Sequence, residues 1–275
     1  MPELPEVETI VRDLRPIVTG RVLQRPRLYH SDVLCRITKP ALLRGLARRR
    51  IENISRRAKH AVLLLDSGSR LIIQPGMSGS LLTYDRPLTA AERKYAVLTA
   101  DIGRGTTLVY RDVRRLGTIY LLDQEGWDAY TGRIGPEPLE EGFDARVFAG
   151  ILGRSRQAIK KVIMDQRKLA GVGNIYANEA LFRARVNPWM PALEVERAAA
   201  RKLHGEIRKV LAQAIESKGT TFRDYRRGTG ERGGFQLKLY VYGREGEPCR
   251  TLLTGTHDID GRATTFCRRC QGVAR

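Results

Sequence analysis

Two hydrophobic periods divide this chain, and they meet at Gly135-Pro136-Glu137-Pro138. Before that point, from about residue 20 to 123, apolar residues come in short β-branched or aromatic pieces at 61–65, 71–73, 95–99, 107–110 and 118–122, broken by Gly, Asp and Ser. Short strands at this spacing predict a β-sandwich, in which each sheet covers the apolar face of the other. Ahead of them, Val7, Ile10, Val11 and Leu14 fall at i, i+3, i+4 and i+7, one face of a short helix stopped at Gly20. Beyond the boundary the spacing turns helical. Ile159, Val162 and Ile163 mark one helix, Gly171-Val172-Gly173 breaks the chain, and Asn174 can cap a helix running to about Arg183. A longer helix from about 193 to 217 carries Leu203, Ile207, Val210, Leu211 and Ala214 on one face. The tail from about 234 reads as strand again. The expected fold class is α+β, without internal repeats.

Charge limits the partners. Lys and Arg total 49 against 30 Asp and Glu over 275 residues, a formal net charge of +19. Nucleic acid rewards such an excess, because each matched phosphate releases condensed counterions. The cations form separated clusters: Arg48, Arg49, Arg50, Arg56 and Arg57; Arg154, Arg156, Lys160 and Lys161; Arg223, Arg226, Arg227 and Arg232. No single amphipathic basic helix collects them, which disfavours a membrane surface. No apolar run reaches the roughly 18 residues of a membrane span, and the start lacks a basic-then-apolar signal segment. A soluble, unexported protein is expected. Of four cysteines, three lie in the last 27 residues. In a chain without an export signal such a cluster suggests metal before disulfides, while Cys35 reads as a buried or incidental thiol.

The first residues carry chemistry of their own. Pro2 is small, so Met1 is expected to be removed, leaving a secondary amine at the terminus. An α-amino group titrates near pH 8, against roughly 10.4 for lysine, so far more of it is unprotonated at neutral pH. Such an amine can condense with a sugar carbon to give an iminium, and the neighbouring Glu3 can move protons beside it. A frayed, inert terminus is the alternative on the residues alone.

Met1–Glu8, MPELPEVE, resembles the opening of the formamidopyrimidine-DNA glycosylase family, which includes the endonuclease VIII-type enzymes. The resemblance continues through Arg56-Arg57-Ala58-Lys59, Gly76-Met77-Ser78-Gly79, Asp112-Val113-Arg114-Arg115 and Gly135-Pro136-Glu137-Pro138-Leu139. It extends through Gly171 to Phe182 (GVGNIYANEALF) and Val241-Tyr242-Gly243-Arg244, in family order over nearly the whole chain.

That resemblance implies three parts: a catalytic β-sandwich with an N-terminal helix over 1–134, a helix-two-turn-helix domain over 135–233, and a zinc-finger-like β-hairpin over 234–275. DNA is expected in a basic cleft between the two main parts. Pro2 is implied as the nucleophile at C1′, Glu3 as general acid/base, and Lys59 as a second catalytic group near the sugar. The target base must leave the helix before chemistry. Met77, Arg114 and Leu116 match the residues that fill the gap. Leu116 departs from the phenylalanine common in enzymes acting on oxidised purines; leucine can wedge between bases but cannot stack on one. Gln74 and Pro75 depart from the His-Leu usual before the Met77 loop. Asn174 is implied at a phosphate, with an ordinary N-cap equally open. Arg156 and Lys160 are expected on the preceding helix, in contact with DNA. The stretch from Gly219 to Phe235 resembles the base-capping loop of the purine-specific branch and favours 8-oxoguanine and formamidopyrimidines, whereas Leu116 pulls the other way.

The family's finger holds zinc between two C-x-x-C pairs. Here Cys267 and Cys270 keep the second pair, but Cys249 has lost its partner to Leu252. His257 lies between the pairs, so a Cys249-His257-Cys267-Cys270 zinc site is expected, the alternative being a zincless hairpin held by packing. Arg262, five residues before Cys267, is implied at phosphates flanking the lesion and in the later elimination step. The implied protein is a bifunctional glycosylase and lyase of base excision repair, acting as a monomer on damaged duplex DNA in the bacterial cytoplasm and needing no redox cofactor or catalytic metal. The rivals are an oxidised-pyrimidine glycosylase and a DNA-damage-binding protein that has lost catalysis.

Overall fold

The computed structural model describes residues 2–220, 234–249 and 255–272, the side chains of Thr256 and His257 excepted. Arg223, Arg226, Arg227, Arg232 and Leu252 lie outside these residues, as does the middle of the expected base-capping loop. The chain divides into two compact units, Met1–Gly132 with Ser217–Gly234, and Arg133–Glu216 with Phe235–Arg275.

The first unit opens with helix α1 (Leu4–Val18), started by Pro5 in its first turn, where a missing N–H costs nothing. Strands follow as β1 (Gln24–Leu28), β2 (Ile51–Arg57), β3 (His60–Leu65), β4 (Arg70–Gln74), β5 (Gly79–Tyr84), β6 (Ala96–Asp101), β7 (Thr107–Asp112) and β8 (Thr118–Leu122). Helices α2 (Lys39–Leu46), α3 (Ala90–Lys94) and α4 (Gln124–Thr131) lie between or after them. The strands pair antiparallel into two four-stranded sheets, ordered β1-β6-β7-β5 and β2-β3-β4-β8. Leu63, Ile73 and Ile119 of one sheet share a core with Leu81, Val97 and Leu108 of the other. The apolar stripe of α1 (Val7, Ile10, Val11 and Leu14) is wholly buried in that core, and α1 packs on β2, β3 and β5. Burying a side chain of this size is worth about 1.5–3 kcal/mol, so the stripe fixes where the chain's first residues sit.

The second unit is mostly helical: α5 (Ala145–Leu152), α6 (Ile159–Met164), α7 (Asn174–Ala184) and α8 (Arg197–Glu216), followed by the hairpin β9 (Gly255–Ile259) and β10 (Arg262–Phe266) and the single turn α9 (Arg268–Gln271). The long helix, expected from about 193, begins at Arg197, because residues 192–194 form a separate 3-10 turn. The tail expected as strand from about 234 is instead a 3-10 turn at Phe235–Lys238 followed by irregular chain. The cause is Glu179, buried on α7: its carboxylate accepts from the backbone N–H groups of Tyr240, Val241 and Tyr242 at 2.9 Å each. Backbone donors taken by a carboxylate are lost to a ladder, and the first strand of the tail among the described residues is β9, from Gly255. No helix among the described residues is long and apolar enough to cross a membrane.

Candidate active site and DNA-contact residues

Pro2 and Glu3 precede the first turn of α1 and are buried. Glu6, one turn on and also buried, receives the backbone N–H of Glu3 at 2.9 Å on one carboxylate oxygen and that of Thr220 at 2.7 Å on the other. Gly219, at φ +79°, lies against the Glu6 side chain, where any Cβ would come within 3.1 Å of its carboxylate. One side chain thus anchors both the start of α1 and the end of the loop stem.

Lys59 sits in the tight turn joining β2 to β3, and it is buried rather than solvated. A chain of polar contacts holds that turn. Ala58 adopts a left-handed conformation at φ 51°, and its carbonyl accepts from Arg56 at 3.0 Å. Arg56 also donates to Glu8 of α1 at 3.0 Å, while Arg12 donates to the other Glu8 oxygen at 2.7 Å. Burial opposes the charge on Glu8, but its bond to Arg12 and the charge of Arg56 prevail and hold the carboxyl below its usual range. On the far side, His60 Nδ1 lies 2.9 Å from the Arg57 carbonyl, and the Tyr130 hydroxyl lies 2.9 Å from Nε2. A carbonyl can only accept, so Nδ1 carries the proton and Nε2 takes the tyrosine's. Burial lowers the His60 pKa, in keeping with this neutral form. Sequence reasoning missed Glu6, Glu8 and His60. Their signal is context: acids in a helix's first turns and a histidine beside a basic turn.

Met77 and Leu116 are exposed large apolar side chains, at 42% and 60%, and Arg114, two residues before Leu116, is exposed as well. Exposure of this kind disfavours a core role and suits a wedge. The two loops that carry them interlock beneath the tips. Asp112, 1% exposed, accepts from the Ser78 hydroxyl at 2.6 Å and from Gly117 N–H at 2.9 Å and the Tyr110 hydroxyl at 3.2 Å. Ser78 in turn accepts from the backbone N–H of Arg114 at 2.9 Å. Burial first, and then the Asp112 charge, pushes the Tyr110 pKa upward, so that hydroxyl stays a donor.

In the second unit, Arg156 is exposed but precedes α6, in the turn after α5, rather than lying on a helix. Lys160, expected at DNA, is 1% exposed; its ammonium donates to the Ala263 carbonyl at 3.0 Å and to the Thr264 hydroxyl at 2.8 Å. Burial on that scale makes it a support for the hairpin. Asn174 is the first residue of α7 and does not cap it; Gly173 holds the cap position. The Asn174 amide reaches Ala263 O at 3.0 Å, and that of Asn178 reaches the same oxygen at 3.4 Å. Arg262, next to this gripped carbonyl, is exposed.

The sulfurs of Cys249, Cys267 and Cys270 lie within 4.8 Å of one another, Cys249 being 3.3 Å from Cys267 and 3.9 Å from Cys270. A tetrahedral ion with bonds of about 2.3 Å sets its sulfurs about 3.8 Å apart, so the trio fits three corners of such a site. Burial, then the adjoining thiols, push the Cys270 pKa up to about 11, as expected of clustered thiols whose ionisation calls for a cation. These three are the only metal-type cluster among the described residues, and the His257 side chain lies outside them.

The chain matches the formamidopyrimidine-DNA glycosylase N-terminal domain over residues 1–119 and the formamidopyrimidine-DNA glycosylase H2TH domain over residues 134–226. It is 41% identical to the formamidopyrimidine-DNA glycosylase of Thermomicrobium roseum, covering 98% of this chain and 99% of that one. It is similar to the MutM (Fpg) crystal structure from Thermus thermophilus, with a TM-score of 0.88 and 37% identity over the whole of both chains. It also resembles the Lactococcus lactis Fpg in complex with DNA containing an abasic site, with a TM-score of 0.90 and 32% identity over 98% of this chain and 99% of that one. With both domains matched in order and relatives aligned end to end, the chain belongs to the formamidopyrimidine-DNA glycosylase family.

Proposed function

We propose that this protein is a bifunctional DNA glycosylase and abasic-site lyase of base excision repair, acting on oxidised purines in duplex DNA. The observation that carries the reading is the buried Pro2-Glu3 start of α1, in the same unit as a buried Lys59. With Met1 removed, the Pro2 nitrogen at this place is a secondary amine with a lone pair to donate. The lesion is extruded while Met77, Arg114 and Leu116 enter the space it leaves. The Pro2 nitrogen attacks C1′; the nitrogen–carbon bond forms as the glycosidic bond breaks, and the base departs with a proton. Glu3 assists base loss and ring opening to the iminium, and Lys59 serves protons and phosphate beside the sugar. Loss of a C2′ proton expels the 3′ phosphate, loss of a C4′ proton expels the 5′ phosphate, and water then frees the amine.

Arg156 and Asn174 are assigned to phosphates, and Arg262 to the phosphates flanking the lesion and to the second elimination. Zinc held by Cys249, Cys267, Cys270 and His257 would fix the hairpin that carries Arg262; its role is structural. Elemental analysis of native protein and His257→Ala tests the fourth ligand, since full zinc in the variant removes histidine from the set. The enzyme is assigned to the bacterial cytoplasm, working as a monomer on the chromosome.

Borohydride reduction in the presence of lesion duplexes tests the chemistry. Native protein is expected to give a covalent adduct that N-acetylated protein does not, and mass spectrometry should place it on Pro2. No adduct from the native protein overturns the reading in favour of a DNA-binding protein without catalysis, and an adduct elsewhere removes Pro2 as the nucleophile. Leu116 favours one second reading, an oxidised-pyrimidine preference, and parallel cleavage of 8-oxoguanine and thymine glycol duplexes separates the two.

A further inference from the structure

We propose that Asp112 is a positioning residue that makes the Met77 loop and the Arg114–Leu116 loop a single insertion unit, so that both enter the DNA stack together. The inference rests on the reading of those loops as gap fillers and goes beyond it by naming what holds them in register.

Three observations support the clamp. First, every donor Asp112 receives comes from one of the two loops or from β7, the strand that leads into the second loop: Ser78 on one oxygen, Gly117 and Tyr110 on the other. Second, the loops are joined a further time through Ser78, whose oxygen accepts from Arg114 N–H while its proton goes to Asp112. The wedge residue Met77 and the cation Arg114 thus flank one hydroxyl. Third, the backbones approach too closely for any side chain. A Cβ on Gly76 would lie 2.5 Å from Gly117 N, 2.6 Å from the Leu116 carbonyl carbon and 2.7 Å from Asp112. A Cβ on Gly117 would collide with the Tyr110 hydroxyl and lie 2.6 Å from the Gln74 carbonyl.

Beneath exposed tips, then, lies a buried joint in which one carboxylate satisfies donors from both sides. Loops ordered before they meet DNA lose less conformational freedom on insertion than loops that must find each other there. Asp112 is not placed to touch the sugar chemistry in this account; its effect passes through Met77, Arg114 and Leu116.

The test uses the full chain and a duplex carrying 8-oxoguanine beside 2-aminopurine, whose fluorescence rises as the stack opens. Asp112→Asn removes the charge while keeping the shape. It is expected to slow the fluorescence phase and single-turnover base excision about tenfold, as loss of one charge-assisted bond implies. Borohydride trapping on a single-stranded abasic oligonucleotide, where no stack is opened, should stay within about twofold of native. Asp112→Asn combined with Met77→Ala should fall little below the worse single variant, because both disable the same unit.

Equal losses on duplex and single strand would make Asp112 a general structural residue and overturn the proposal, as would a native insertion phase in Asp112→Asn. Should that variant fail to fold, Ser78→Ala carries the test: it cuts the tie to Arg114 while leaving Gly117 and Tyr110 on Asp112, and it must show the same split between substrates. Met77→Ala and Leu116→Ala distinguish the underlying reading. If both leave the fluorescence phase untouched, the gap-filling role fails; if they slow it and Asp112→Asn does not, only the clamp fails.

Discussion

The paired loops of the first unit and the finger hairpin of the second are each held at one small acceptor hub, but one hub is a side chain and the other is backbone. At Asp112 a single carboxylate gathers two hydroxyls and a backbone N–H. At Ala263 a single carbonyl gathers an ammonium and two side-chain amides. A side-chain hub fails as a whole when that one residue is changed, because every donor around it is then left short of a partner. A hub built from several donors on a backbone carbonyl loses them one at a time, and the carbonyl itself cannot be mutated away. The wedge loops should therefore be brittle and the hairpin tolerant.

The largest expected effect breaks the comparison open. Asp112→Ala should destabilise the first unit by about 3 kcal/mol or more, since buried donors lose a charged acceptor, whereas Lys160→Met should cost about half as much. Denaturant midpoints compare them, and equal losses would remove the distinction. Lys160→Met also sharpens it functionally. With Asn174 and Asn178 still on Ala263, base release should persist while products cleaved only on the 3′ side accumulate, because Arg262 loses its backing. Gel analysis of the two ends reads this out, and normal end distribution would detach Lys160 from Arg262.

A smaller effect comes from pH. His60 is held neutral between the Arg57 carbonyl and Tyr130, with its pKa lowered mainly by burial. Its contribution is present above the unfolded value of about 6.5 and is lost as pH falls through the lower folded value. Urea midpoints of the native protein should drop between pH 7.5 and 5.5, and His60→Gln should flatten that slope; an unchanged slope would remove His60 as its source. Smallest of all should be Asn178→Ala, at about 0.5–1 kcal/mol, because its bond to Ala263 is long at 3.4 Å and its own oxygen is buried without a hydrogen-bond partner.

The same contrast explains what could be read from the residues alone. The stripe of α1 and the strands β3, β4 and β8 were legible because periodicity is a local property, and each segment buries the face its own spacing marks. Pro2, Lys59, Met77 and Arg114 were reached through motif resemblance, which carries position but no partners. Asn174 could not be read correctly as a cap, because the group that claims its amide lies 89 residues further on. Lys160 looked like one more surface cation for the same reason: only the return of β10 above α6 turns it inward. The tail near 240 read as strand because nothing nearby shows that Glu179, about 60 residues earlier, would claim its amides. Long-range claims on polar groups are the part of this fold that local pattern leaves unseen.

The interlocked glycines under Met77 and Leu116 also divide these loops into parts that can and cannot vary. Gly76 and Gly117 admit no substituent, whereas the tips above them project outward with no framework duty. Selection, natural or in a library, can therefore redraw which opposite base or lesion is sensed by exchanging tip residues alone, and a leucine at position 116 is the sort of exchange that such a socket permits.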